Sequence, residues 1–217
     1  MYEDELSSQG ESNTNHLINR FDKMLNESHF VYFDSEEIEK IIDYYTENVN
    51  KFKLREAFSL YEKLYPFSSQ LKIKKAQTLL YFDKASEALK VIKEVPTTKN
   101  EEYLYTLASI YSKLDKPKYA ILIFEDLLLI NKNNEDIISC LANEYQKIDN
   151  FSKSADMLER LLILNNYNEI NWYSYIITCE ISKKSKRSLS FIKRHIKSKP
   201  YDYEAGDISL DQSQKNS

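Results

Sequence analysis

A chain of 217 residues with only 2 Gly and 4 Pro has too few turn formers for a many-stranded sheet protein, whereas 17 Tyr and 10 Phe give ample bulk for contacts between helices. Its net charge of −4 is mild and selects no partner class, and the two cysteines, Cys140 and Cys179, can build neither a disulfide framework nor a four-thiolate zinc site. No apolar run approaches the roughly 18 residues of a membrane helix, and Met-Tyr-Glu-Asp-Glu-Leu lacks the basic and apolar segments of a secretory signal, so a cytoplasmic protein that does not enter membranes is expected.

Residues 1–15 are polar and are expected to be disordered. In residues 16–34, Leu17, Phe21, Met24 and Leu25 predict one short helix followed by a linker. Asp34-Ser35-Glu36-Glu37 then reads as a capped helix start, its acidic groups favoured at the positive end of a helix dipole. From 35 to 200 the spacing predicts helical hairpins: Ser35–Val49 with Leu54–Tyr65, Ser69–Phe82 with Ala85–Val95, and Glu101–Leu114 with Pro117–Ile130. Glu135–Ile148 with Phe151–Leu164 and Glu169–Ser182 with Lys186–Lys197 complete the series. Residues 201–217 form a polar tail that is expected to be disordered, although Tyr201-Asp202-Tyr203-Glu204-Ala205 looks like the start of another repeat.

The third hairpin shows the pattern best. Leu104, Leu107, Ala108, Tyr111 and Leu114 fall on one helical face, and after Asp115-Lys116-Pro117 the face resumes at Tyr119, Ala120, Ile123, Phe124, Leu127 and Leu128. Pro117 suits the first turn of a helix, where a missing N–H costs nothing. A small residue recurs in each second helix at Ala57, Ala88, Ala120, Ser154 and Ser188, spaced 31, 32, 34 and 34 apart. Four residues later comes a large apolar one: Tyr61, Ile92, Phe124, Leu158 and Ile192. First helices carry a matching small slot at Ala76, Ala108 and Ala142, with Tyr45 and Ile176 as departures. Small slots let helices approach closely and large residues fill the groove between them, so stacked hairpins bury what one alone cannot.

These residues resemble the tetratricopeptide repeat, a 34-residue helix–turn–helix, over residues 35–200. Trp172 takes its aromatic slot in the fifth unit and Pro200 its terminal proline, while the usual glycine slots hold alanine or larger residues. The resemblance implies an all-α, right-handed helical-hairpin solenoid of about five repeats. It also implies a non-enzymatic protein-binding scaffold or adaptor that takes a protein or peptide segment in a groove lined by the first helices. In that register the groove residues are Gln77, Tyr81, Tyr105, Ser109, Ser112, Ser139, Asn143, Gln146, Tyr173 and Ile177, with Thr46 from the first unit. The basic clamp for C-terminal carboxylates is missing, only Asn143 sitting at a comparable place, so an extended or helical segment is the better fit.

Other chemistry reads weakly. Cys179 and His195 face each other across the fifth hairpin in this register, yet both take core slots and no third residue orients them. No phosphate loop, metal-ligand spacing or Ser/His/Asp set occurs, so no cofactor, no metal and no catalytic residue is expected. Residues 1–50 carry 12 acidic and 3 basic side chains, while Ile181–Pro200 holds 8 basic and none acidic. That polarity offers two alternatives: RNA binding through the basic C-terminal repeat, disfavoured by the acidic whole, and homo-oligomerisation of acidic head on basic tail.

Overall fold

The computed structural model describes residues 2–27, 29–96, 100–165 and 167–198, with side chains between 13 and 194. Among them are eleven helices and no strand. They are α1 (Tyr2–Glu27), α2 (Ser35–Glu47), α3 (Lys51–Leu64), α4 (Ser69–Tyr81), α5 (Ala85–Ile92), α6 (Glu101–Lys113), α7 (Pro117–Ile130), α8 (Glu135–Lys147), α9 (Phe151–Leu164), α10 (Glu169–Ile181) and α11 (Ser185–Ser198). The chain forms two compact units, Met1–Ile137 and Ile138–Ser217. The expected helical-hairpin repeat is present, and Pro117 opens α7.

The N-terminus differs from expectation. α1 begins at Tyr2, so most of the segment expected to be disordered lies in its first turns. Glu3, Asp4 and Glu5 fall where the helix dipole favours carboxylates.

Two local devices set the repeat. Each first helix is capped by a side chain that accepts from the third backbone N–H of its first turn. At α2, Asp34 accepts from Glu37 N–H at 2.8 Å while the Glu37 carboxylate accepts from Asp34 N–H at 3.1 Å. Ser68, Asn100, Asn134 and Asn168 cap α4, α6, α8 and α10 in the same way, at 2.9–3.2 Å. Each such cap contributes about 1 kcal/mol.

The turn inside each hairpin is equally regular. Val49, Asp83, Asp115, Asp149 and Lys183 all have φ between 53° and 57°, the left-handed region. The following N–H reaches back over the turn, from Asn50 to Tyr45 C=O at 3.0 Å and from Lys116 to Tyr111 C=O at 2.9 Å. Lys84, Asn150 and Lys184 repeat it at 2.8 Å, onto Leu79, Tyr145 and Cys179. A shorter bond nests inside, as from Asp115 N–H to Ser112 C=O at 3.2 Å. This is the Schellman closure, which satisfies the last carbonyls of a helix and is normally built on glycine.

These turns correct the register of the first repeat. Turn to turn, the intervals are 34, 32, 34 and 34, so only the second is short. Ala88, Ala120, Ser154 and Ser188 stand five residues past their turns, and five past Val49 is Leu54, not Ala57. The large slot is then Phe58 rather than Tyr61, and the first-helix small slot is Ile42 rather than Tyr45. Ala57 and Tyr61 are fully buried all the same, because α3 buries a further turn in a core that also draws on α1 and the linker before α2.

That core holds Phe21, Phe33, Ile38, Ile41, Ile42 and Tyr61. Phe21 meets Phe33 edge-on, centroids 6.0 Å apart, and lies 5.9 Å from Tyr45. The next cluster in this unit gathers Ile73, Ala76, Ala88, Ile92, Tyr103 and Ile110. In the second unit Ile138, Leu141, Leu158, Leu162, Tyr175 and Cys179 are buried.

Candidate functional site

The face expected to bind is built from first helices, and the structure divides its residues into framework and surface. In the first unit, Gln77 gives both amide hydrogens away, to Glu102 at 3.0 Å and Thr106 at 3.2 Å. Gln70 donates to the same carboxylate at 2.5 Å. α4 and α6 are thus tied by a polar ladder, and Gln77 serves the framework. In the second unit Gln146 ties α8 to α10 through Thr178 Oγ1 at 2.9 Å. Sequence patterning cannot tell a spent amide from one open to a ligand, and both glutamines occupy nominal groove positions.

The remaining residues are more open. Tyr81 is 56% exposed beside Phe82, ring centroids 5.4 Å apart. Tyr105 is 39% exposed and sets its ring edge-on to buried Phe124 at 5.8 Å, so it stands partly in the core. Ser109 and Ser112 are half-buried. In the second unit Tyr173 is 70% exposed, Asn143 is exposed, and Ser139 and Ile177 are half-buried. Thr46 is buried, its hydroxyl donating to Ile42 C=O at 2.7 Å.

At three of the turns, side chains four before and four after the turn meet across the hairpin. Lys53 Nζ lies 5.2 Å from the Tyr45 ring, Tyr111 stacks on Tyr119 at 5.3 Å, and Lys153 Nζ lies 4.9 Å from the Tyr145 ring. Lys53 also pairs with Asp22 at 2.6 Å, and the Tyr45 hydroxyl donates to the same carboxylate.

The reactive-group readings lose ground. Cys179 is fully buried, and burial pushes its thiol up, away from the thiolate a nucleophile needs. The His195 side chain lies outside the described residues. Burial, followed by the carboxylates they donate to, also raises the Tyr45 and Tyr175 phenols. Lys113 lowers Asp83. Every resolved shift moves its group away from neutrality, the reverse of a tuned general acid or base. Among the described residues no cluster of three or more His, Cys, Asp or Glu could hold a metal ion. No described helix is long and apolar enough to cross a membrane.

The basic C-terminal segment is partly committed. Arg187 bonds Glu159 at 2.9 Å and pairs with Asp156, while Lys184 donates to Ser152 at 3.2 Å. Lys186, Lys193 and Arg194 remain exposed on α11, and Lys199 lies outside the described residues, as does the Lys197 side chain.

The family described as "Psidin, N-terminal TPR repeats region" matches residues 38–174. A crystal structure of MamA aligns with a TM-score of 0.60 at 17% identity, over 77% of this chain and 95% of that one. PilF of Pseudomonas aeruginosa aligns at 0.65 and 12% identity, over 90% and 89% of the two chains. YrrB, described as a TPR protein with an unusual peptide-binding site, aligns at 0.59 and 12%, over 84% and 93%. At such identities the likeness is one of fold. A sequence search of characterised proteins found no match.

Proposed function

We propose, because the chain belongs to the Psidin N-terminal TPR repeat family, that it is a protein-binding scaffold without chemistry of its own, taking a peptide or protein segment on the exposed face of its first helices. The observation that carries this reading is Tyr173, an aromatic ring 70% exposed at a first-helix groove position. Rigid aromatic side chains of this kind supply much of the binding energy at protein interfaces at little entropic cost. Tyr81 offers a similar ring in the first unit, with Ser109 and Ser112 as polar neighbours on the same kind of face. Asn143 and Ile177 do so in the second. Support for a non-catalytic role comes from the direction of the titration shifts and from buried, protonated Cys179.

The test uses a photo-crosslinking amino acid placed at Tyr173 or Tyr81, with exposed Lys116 in a hairpin turn as the control position. Crosslinks to protein from the first two positions and not the third support the groove, and Tyr173→Ala then weakens capture with little change in thermal stability. Equal crosslinking at all three, or recovery only of nucleic acid, sinks the reading. Tyr105→Ala is the poorer probe, since losing the ring beside Phe124 lowers stability by about 1 kcal/mol as well.

A further inference from the structure

A cleft of about 650 Å³ opens in the first unit between α3 and α4; no first-helix groove residue lines it, although Tyr81 of that face packs against its Phe82. Its floor is apolar: Leu54, Phe58, Leu79 and Phe82. The Thr78 hydroxyl turns to its own helix, donating to Lys74 C=O at 3.0 Å, and makes no polar demand there. The rim is cationic, with Lys51, Arg55, Lys75 and Lys84 against the single carboxylate of Glu62. Lys75 neutralises Glu62 at 3.1 Å. Exposed Arg55 pairs with half-buried Glu56 at 3.0 Å and lies over the Phe52 ring, and exposed Lys84 pairs with exposed Glu87 at 3.5 Å; ion pairs at the surface contribute little and leave both cations open to a partner. Lys51 and Lys84 stand where α3 and α5 begin, so two helix dipoles add to the positive potential.

An occupant for this cleft must be acidic and carry an apolar or aromatic anchor. The chain contains such a segment outside the described residues. Beyond α11, Tyr-Asp-Tyr-Glu-Ala-Gly-Asp-Ile-Ser-Leu-Asp spans Tyr201–Asp211, with four carboxylates, no cation, two tyrosines, Ile208 and Leu210. Extended, its eleven residues reach about 36 Å, enough to cross the gap between two helices several times over.

We propose that the α3–α4 cleft binds the Tyr201–Asp211 segment of a second copy, with a tyrosine on the Phe58–Phe82 floor and carboxylates on Lys51, Arg55 and Lys84. The two surfaces differ, so the contact is heterologous, giving rings or reciprocal pairs where the geometry closes and open chains where it does not, and association grows with concentration. Exposed charge carries the attraction, so moderate salt weakens it. The cleft adjoins the first-helix face where Phe82 meets Tyr81, but its cations, Lys51, Arg55 and Lys84, are not residues of that face.

The test is sedimentation velocity on the full chain over a wide concentration range. The wild type is expected to shift to larger species as concentration rises. Lys51→Glu with Arg55→Glu abolishes the shift, as does Asp202→Lys with Glu204→Lys in a separate chain. Mixing those two variants restores association, since their charges again oppose. Lys51→Glu places an acid at a helix start, where it favours the fold, whereas Arg55→Glu removes the pair with Glu56, so an unchanged circular dichroism spectrum of the double variant separates loss of association from loss of structure. A wild type that keeps one size, association that survives either reversal, or variants that fail to rescue each other overturn the proposal. So does association lost instead with Lys186→Glu and Lys193→Glu on α11.

Discussion

The first and third hairpins sit in the same unit and share the same turn, yet they fill their slots differently. In α6–α7 the small slot is Ala120, fully buried, and the large one is Phe124, 1% exposed. In α2–α3 the same places hold Leu54 and Phe58, and Phe58 is only half-buried. Where alanine sits the large ring is sealed in the core; where leucine sits it becomes one wall of the α3–α4 cleft. In these two hairpins the repeat template fixes where side chains meet, and the bulkier slot residue goes with the open meeting place.

The most severe way to break this contrast is Phe124→Ala, which costs about 3–5 kcal/mol by emptying a sealed site. Urea unfolding measures it, and a cost below about 1 kcal/mol would mean the ring fills no groove. The α10–α11 hairpin sharpens the contrast, because a charged network stands there beside the Tyr175–Phe191 ring pair. In the second unit, Arg187 of α11 bonds Glu159 of α9, which also accepts from the Tyr175 hydroxyl of α10. Arg187→Ala costs about 2 kcal/mol at neutral pH, the scale of hydrogen bonds to charged groups. Burial alone raises the Glu159 carboxyl, but bonds from Arg187 and Tyr175 outweigh it and hold the group below its ordinary 4.5. A depressed value in the folded state stabilises above the unfolded value and is lost as pH falls through the folded one. The gap between wild type and Arg187→Ala therefore narrows below about pH 4.5, whereas the Phe124→Ala gap, which involves no titrating group, stays open. Denaturant melts at neutral and acid pH separate the two.

Phe58→Ala is milder, about 1–2 kcal/mol, because only part of that ring leaves water on folding. The smallest effect has the opposite sign. Val49 is β-branched, 53% exposed and left-handed, so Val49→Gly raises stability by about 1 kcal/mol. Asp115→Gly changes little, since aspartate tolerates that conformation. Thermal melts of the two check whether the turns are strained by residue type or merely share a shape.

Much of this fold was legible. Alanines at 76, 88, 108, 120 and 142, with large residues four on from the second-helix slots, announce paired helices, and Pro117 marks a helix start. In the first repeat Ala57 and Tyr61 imitate the small–large pair one turn too late, and a period-3.6 pattern cannot distinguish adjacent turns of one helix. Val, Asp and Lys in left-handed turns carry no signal comparable to glycine. The recurring caps at 34, 68, 100, 134 and 168 would have fixed the register, being spaced like the turns. At the candidate site, aromatic character was legible and exposure was not: Tyr105 and Tyr173 read alike, yet one leans on Phe124 and the other faces outward.

The nested turn bonds give each hairpin its own clock. Loop amides ordinarily trade hydrogen for deuterium fast, but those of Asn50, Lys84, Lys116, Asn150 and Lys184 are locked onto carbonyls five residues back. Each can exchange only when its own hairpin opens at the tip. Five such amides, one per turn, make exchange rates a map of which repeats breathe and in what order, without a probe being added anywhere.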